Sequence, residues 1–145
     1  MRRALALIAL MLAAAGASAA EFASVGKPGA VLYDAPSGNA TALFVAPQGM
    51  PIELLSVIRL WVKARDAAGD VFWIERSDIA QARTVVTVDR AEVREFANQS
   101  AEVLFTADMG VLLELLEPDP APGWAKVRHR DGETGFVRHA ALWGI

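Results

Sequence analysis

Two short segments place an aromatic side chain and two cations at alternating positions. Residues 61–65 and 124–128 both have the pattern Trp-x-Lys-x-Arg. In a β-strand alternate residues share a face, so the ring and both cations would point the same way. A face of this kind suits contact with a peptide, whose carboxylates pair with Lys and Arg. The candidate ligand-binding residues are therefore Trp61, Arg65, Trp124 and Arg128.

A simpler interpretation of these segments stays open. The four tryptophans of the chain can serve mainly to pack the interior. The cations can form scattered salt bridges on a solvated sheet surface. Glu53 and Glu114 recur in both copies of the repeat described below, which suggests a structural pairing of these acids with Arg65 and Arg128.

The residue types that catalysis or metal binding needs are scarce. The chain has no cysteine, which excludes a thiolate nucleophile, a disulfide and a thiolate metal site. The two histidines, His129 and His139, lack a third ligand at a spacing that suits zinc. No serine lies in a Gly-x-Ser-x-Gly motif, and no phosphate-binding glycine loop is present. We expect no catalytic residue, no metal and no cofactor, and hence a protein that is not an enzyme.

An internal repeat must position the candidate residues. Residues 43–55 recur as residues 104–116 at an offset of 61, with seven of the thirteen positions identical. The two Trp-x-Lys-x-Arg segments follow at an offset of 63, so the second copy has gained two residues in the loop 118–123. Because apolar positions stay in phase on both sides of this loop, we infer a duplication of one small module.

Short β-strands are predicted throughout both copies. The strands are expected at residues 30–33, 43–45, 52–58, 61–65, 71–74, 84–88, 91–94, 103–106, 111–116, 124–129 and 134–137. Turn residues separate them, most clearly Asp131-Gly132. No helical period extends over a long stretch after residue 21. The pattern predicts an all-β fold with two small β-barrels, residues 21–80 and 81–145, which touch or nearly touch across a short linker near 77–83.

The N-terminal residues have the three parts of a secretory signal. A basic pair after Met1 precedes an apolar run over residues 4–15 and a stretch of small residues. The apolar run is shorter than the roughly 20 residues that a membrane span needs. We predict a cleavable signal helix over residues 1–20, cut after Ala19 or Ala20. The mature protein would be periplasmic or secreted, without stable insertion in a membrane.

Net charge narrows the class of partner. The chain carries 14 basic and 17 acidic residues, and without Arg2 and Arg3 of the signal the balance is 12 to 17, a net charge of −5. A nucleic-acid binder needs a basic face for phosphates, so this balance argues against nucleic acid. The same acidity argues against a broad attraction to anionic lipid.

The second copy resembles the bacterial SH3-like (SH3b) domain family. The residues that carry the resemblance are Gly110, Glu114-Leu115-Leu116, Gly123-Trp124-Ala125-Lys126-Val127-Arg128, Asp131-Gly132, Gly135-Phe136-Val137 and Ala140-Ala141-Leu142, with Ala91-Glu92-Val93-Arg94 as the first strand. The first copy departs from this pattern at three places. Leu32-Tyr33 replaces Val-Arg, Leu60 replaces the glycine before the tryptophan, and Phe72 replaces the glycine before the aromatic residue.

The resemblance implies two SH3-like barrels in tandem, in an exported protein that binds peptidoglycan or its stem peptides. Tyr33 and Arg94, equivalent residues of the first strand, complete the candidate site. The leading hypothesis is one weak site per copy, with tandem copies adding avidity. An adaptor that binds another envelope protein is the alternative. We further expect Trp73 and Phe136 in the core, and Trp143 against the base of the second barrel.

Overall fold

The computed structural model describes residues 19–145, which contain two antiparallel sheets of seven strands each. The all-β architecture predicted from the sequence is confirmed. The predicted signal helix lies outside the described residues, apart from the last two residues of that segment. Within residues 19–145 no helix has the length and apolar character needed to span a bilayer.

The first sheet has the strand order β3-β2-β6-β5-β4-β1-β7. Its strands are β1 (Glu21–Val25), β2 (Ala30–Tyr33), β3 (Ala42–Ala46), β4 (Pro51–Ile58), β5 (Trp61–Arg65), β6 (Val71–Glu75) and β7 (Ile79–Ala80). A 3-10 helix, Arg76–Asp78, connects the last two strands. Strands β3 and β7 are the two edges, so hydrogen bonding does not close this sheet into a complete barrel.

The second sheet repeats this topology with the order β10-β9-β13-β12-β11-β8-β14. Its strands are β8 (Thr84–Thr87), β9 (Ala91–Arg94), β10 (Val103–Ala107), β11 (Leu112–Ala121), β12 (Trp124–Arg128), β13 (Thr134–Arg138) and β14 (Leu142–Trp143). A 3-10 helix, His139–Ala141, again precedes the last strand. The identical strand order supports the duplication inferred from the sequence.

Each sheet encloses its own hydrophobic core. The first core includes Val25, Leu32, Ile52 and Phe72, which come from four different strands of one sheet. Residues of one sheet can pack together in this way only if the sheet curls over itself. The second core is built in the same manner and is a separate cluster.

The expectation that Trp73 and Phe136 fill the cores is wrong. Both are only half-buried, because the antiparallel register pairs them with Lys63 and Lys126 on the outer face of the sheet. Phe72, which precedes Trp73 and is 1% exposed, lies opposite Ala64 and points inward. The period of two was predicted correctly, but these two aromatic residues were assigned to the wrong face.

Two segments expected to be irregular are more ordered than the sequence indicated. Strand β11 extends to Ala121, which pairs with Trp124, so most of the predicted loop 118–123 is the arm of a long hairpin. The predicted linker 77–83 includes part of a 3-10 helix and strand β7, which pairs with β1. Only residues 81–83 therefore separate the two sheets.

The two repeats contact each other through a small polar cluster. The Thr84 hydroxyl donates to the carbonyl oxygen of Gly49 at 2.6 Å and lies 2.8 Å from the Ser24 hydroxyl. Beside this cluster, the ring of Trp143 meets the ring of Phe22 edge to face, with centroids 5.1 Å apart. Trp143 therefore packs on the first repeat, and does not simply cover the base of the second as expected.

Replacing Thr84 with valine tests this contact. The variant keeps the shape of the side chain but leaves the Gly49 carbonyl oxygen without its partner, which costs about 1 to 3 kcal/mol for a part-buried group. The Ser24 hydroxyl keeps its bond from the Thr84 backbone N–H. Urea unfolding of Thr84→Val should show this loss of stability. Thr106→Val, an exposed position on strand β10, is the matched control and should change stability by less than about 0.5 kcal/mol. Equal effects in the two variants would contradict the contact.

Candidate functional site

The Trp-x-Lys-x-Arg segments form strands β5 and β12, as the alternation predicted. Val62 and Ala64 are buried, while Trp61 and Lys63 are half-buried on the outer face. In the second repeat the tryptophan lies deeper, since Trp124 is only 5% exposed. The two equivalent rings are thus available to a ligand to different degrees.

Both candidate arginines of these strands are held by acids of the neighbouring strand. Arg65 Nε donates to Glu53 at 2.9 Å, and Arg128 Nε donates to Glu114 at 2.9 Å. Each pair lies directly opposite in the antiparallel register. This is the structural pairing that the recurring glutamates suggested, and it reduces the capacity of both arginines to hold a ligand carboxylate.

The lysines of the same strands also have intramolecular neighbours. Lys63 Nζ lies 6.0 Å from the centroid of Trp73, and Lys126 Nζ lies 5.9 Å from the centroid of Phe136. Lys126 additionally approaches Glu117 at 3.4 Å. The outer face of β5 and β12 is therefore largely a surface of salt bridges and cation–π contacts.

A cleft in the second repeat brings two of the candidate residues together. It has a volume of about 470 Å³ and lies where strands β9, β12 and β13 meet the second 3-10 helix. Its lining consists of Arg90, Ala91, Glu92, Arg94, Gln99, Trp124, Val137, Arg138 and Ala141. We call this feature the Trp124 cleft. A cleft with an aromatic floor and a few convergent polar groups is the usual form of a ligand site.

The three arginines of the Trp124 cleft have different surroundings. Arg94 is fixed, because it donates to the Ala101 carbonyl oxygen at 2.7 Å and pairs with Glu92. The guanidinium carbon of Arg138 lies 4.8 Å from the centroid of the Trp124 ring. Among the described residues no carboxylate lies within salt-bridge distance of Arg138 or Arg90. These two cations are therefore available to an anionic group.

The equivalent surface of the first repeat has a different chemistry. The ring of Tyr33 meets Trp61 edge to face, with centroids 5.4 Å apart. Glu75 lies opposite Trp61 in the register, at the position where Arg138 lies opposite Trp124. Tyr33 and Trp61 thus lie together, but beside an acid.

Two titratable groups near the turns are perturbed. A hydrogen bond to Asp78, whose carboxylate lies 2.6 Å from Lys27 Nζ, raises the pKa of Lys27. Asp131 accepts a hydrogen bond from the backbone N–H of Glu133 and a second one from the side chain of His129. Both lower the pKa of the Asp131 carboxyl, the first more than the second. Neither group lines the Trp124 cleft. Within residues 19–145 no three His, Asp or Glu side chains converge in a way that could hold a metal ion.

Sequence reasoning missed Arg138 and Arg90, although a signal for Arg138 was present. The sequence predicts the turn at Asp131-Gly132, and counting outward along the hairpin from this turn places Arg138 opposite Trp124. Arg90 follows a turn between strands and belongs to no periodic pattern, so only the folded structure brings it to the cleft.

Comparison with family models identifies both halves of the chain as one class of domain. Two models, each described as a bacterial SH3 domain, match residues 26–80 and residues 89–142. Together with the repeated strand order, these matches show that the chain belongs to the bacterial SH3 domain family and carries two such domains in tandem. No curated protein matches the chain.

Solved structures with similarity to the chain include two proteins from Trichomonas vaginalis. NlpC2 is 12% identical over 86% of this chain and 48% of its own, and NlpC1 is 13% identical over 94% and 50%, each with a TM-score of 0.39. This chain therefore spans about half the length of each. Similarity at this level carries no inference about function.

Proposed function

We propose that this protein is an exported, non-enzymatic binding module that recognises cell-wall peptide or peptidoglycan. The basic, apolar and small-residue parts of the first 20 residues support export. The tandem bacterial SH3 domains support a role in binding. The described residues offer no cluster that could bind a metal, and the chain has no cysteine nucleophile.

The observation that carries the proposal is the Trp124 cleft. A peptide bound there would contact an aromatic ring and could pair its acidic groups with Arg138 and Arg90. Peptides of the bacterial wall carry free carboxylates, which suits a cationic cleft. The protein as a whole is acidic, so a local group of arginines stands out from its surroundings.

Sedimentation with purified peptidoglycan sacculi tests the proposal. The protein should enter the pellet, and soluble fragments from digested sacculi should release it. Trp124→Leu should weaken retention by about tenfold, because loss of one aromatic contact removes roughly 1 to 1.5 kcal/mol. Binding is measured from the fraction pelleted over a range of sacculus concentrations.

The matched control is Trp73→Leu, which removes a half-buried tryptophan outside the cleft and should bind sacculi as the wild type does. Circular dichroism must show that both variants are folded, since Trp124 is itself largely buried. If the wild-type protein stays in the supernatant while a known wall binder sediments, the proposal is wrong.

A role as an adaptor for another envelope protein is the second candidate, and one surface of the first repeat favours it. Apolar side chains on the edge strand β3 and near the β4–β5 turn are exposed, including Phe44 at 57%, Val45 at 68% and Leu60 at 74%. Exposed apolar groups beside an unpaired strand edge are typical of surfaces that contact proteins. Cross-linking in cells that recovers one dominant protein partner would favour this function over wall binding.

A further inference from the structure

We infer that the two repeats are not equivalent sites, and that only the Trp124 cleft of the second repeat binds a carboxylate group of the ligand, through Arg138. This inference rests on the proposed function and specifies its chemistry. It replaces the expectation of one similar weak site in each copy with a single anion-binding site per chain.

The position of Arg138 is the first argument. Arg138 is exposed, and its guanidinium carbon lies 4.8 Å from the centroid of the Trp124 ring. An aromatic ring below the guanidinium limits its motion without using its N–H donors. A planar fork of free donors is the geometry that pairs with a carboxylate by two hydrogen bonds.

The charges around Arg138 also favour binding of an anionic group. The cleft lining contains three arginines and one acid, Glu92. Glu92 is engaged with Arg94, so its charge is already compensated. Among the described residues neither Arg90 nor Arg138 is in a salt bridge, so both supply positive charge on a chain whose formal net charge is −3. The attraction to an anion is therefore local to this cleft, and it would steer an anionic ligand to it.

The first repeat reverses this chemistry at the same structural position. Strand register places Glu75 opposite Trp61, where the second repeat has Arg138 opposite Trp124. Tyr33 likewise stands where the second repeat has Arg94. Tyr33 pairs with Trp73 of the neighbouring strand in the sheet, and Arg94 pairs with Phe136. The nearby Lys27 is held by Asp78 at 2.6 Å. An anion at the position equivalent to Arg138 would meet the carboxylate of Glu75, so the first repeat lacks this site.

The test compares native sacculi with sacculi whose carboxyl groups have been converted to amides. Wild-type protein should bind the amidated sacculi about tenfold more weakly, because amidation removes the charge-assisted hydrogen bonds to Arg138; a tenfold change corresponds to about 1.4 kcal/mol. Arg138→Gln should bind native sacculi more weakly than the wild type does and should lose most of the preference for native over amidated sacculi, with the remainder owed to Arg90. Arg138→Lys keeps the charge and should recover part of the preference.

Arg130→Gln is the matched control, because Arg130 is exposed at the opposite end of the same β12–β13 hairpin. It should bind like the wild type and retain the preference for native sacculi. Wild-type binding that is equal on native and amidated sacculi overturns this inference and leaves the proposed function standing. An unchanged preference in Arg138→Gln also overturns it. Absence of binding to either preparation overturns both.

Discussion

Replacing Gly135 with alanine is expected to destabilise the second repeat by about 3 kcal/mol, at the upper end of the usual cost of overpacking. A Cβ atom at this position would lie 2.6 Å from Val93 Cγ1 and 2.8 Å from the carbonyl oxygen of Arg94. The valine methyl can move by rotation of its side chain. The carbonyl oxygen belongs to strand β9, which pairs with β13 at the next residue, so relief requires movement of the sheet itself.

Urea or thermal unfolding of Gly135→Ala measures this cost. Gly38→Ala is the matched control, since a Cβ atom at Gly38 meets nothing within 4 Å and its φ lies outside the left-handed region. The control should change stability by no more than about 0.5 kcal/mol. A loss below about 1 kcal/mol in Gly135→Ala would mean that strand β9 gives way easily, contrary to the packing described.

The close approach at Gly135 also links the fold to the candidate site. The atom that a new methyl group would displace is the backbone oxygen of Arg94, a residue that lines the Trp124 cleft. In the first repeat the equivalent residue is Phe72, which is buried in the core. Only the second core therefore requires a glycine at this position, and the first copy carries Phe72 there. This difference explains in physical terms why one copy departs from the family pattern there.

Much of the fold could be predicted because its signals are local or repeated. The turn at Asp131-Gly132 and the alternation in residues 124–128 each define a structure within a few residues. The recurrence of Glu53 and Glu114 in the sequence indicates their pairing with Arg65 and Arg128, which the structure contains. Such cross-strand pairs follow directly from antiparallel register, once two neighbouring strands have been located.

The Trp124 cleft could be predicted only in part, because four separate segments line it. The repeat singles out Trp124 and Arg94 by their equivalent positions, and the structure places both in the cleft. Gln99 lies in the loop between β9 and β10, where no periodicity fixes its direction. The difference in exposure between Trp61 and Trp124 also depends on tertiary structure. The residue opposite each ring, Glu75 for Trp61 and Arg138 for Trp124, decides how far the ring is covered.

The inward face of strand β6 could not be read from the sequence, because residues 71–74 are apolar at all four positions. A strand of this kind satisfies a period of two in either phase. The neighbouring strand β5 decides which side chains of β6 point inward. Val62 and Ala64 of β5 are buried, so Ile74 and Phe72, which lie opposite them, are buried too.

Alanine substitutions of the two aromatic residues of β6 should therefore lose stability in an order that does not follow the sizes of the side chains. Phe72→Ala should lose about 3 to 5 kcal/mol, the usual cost of deleting a buried aromatic ring, since Phe72 is only 1% exposed. Trp73→Ala removes a larger side chain, but from the outer face, where the ring is only half-buried beside Lys63. Its cost should be about 1 to 2 kcal/mol.

Urea unfolding of both alanine variants under identical conditions measures this order directly. A greater loss for Trp73→Ala would mean that the aromatic residues of β6 are assigned to the wrong faces. The consequence would extend beyond this strand, because the register that points Trp73 outward also places Glu75 opposite Trp61. A reversed phase would remove the acid from the surface of the first repeat, and with it the contrast between Glu75 and Arg138 on which the difference between the two repeats depends.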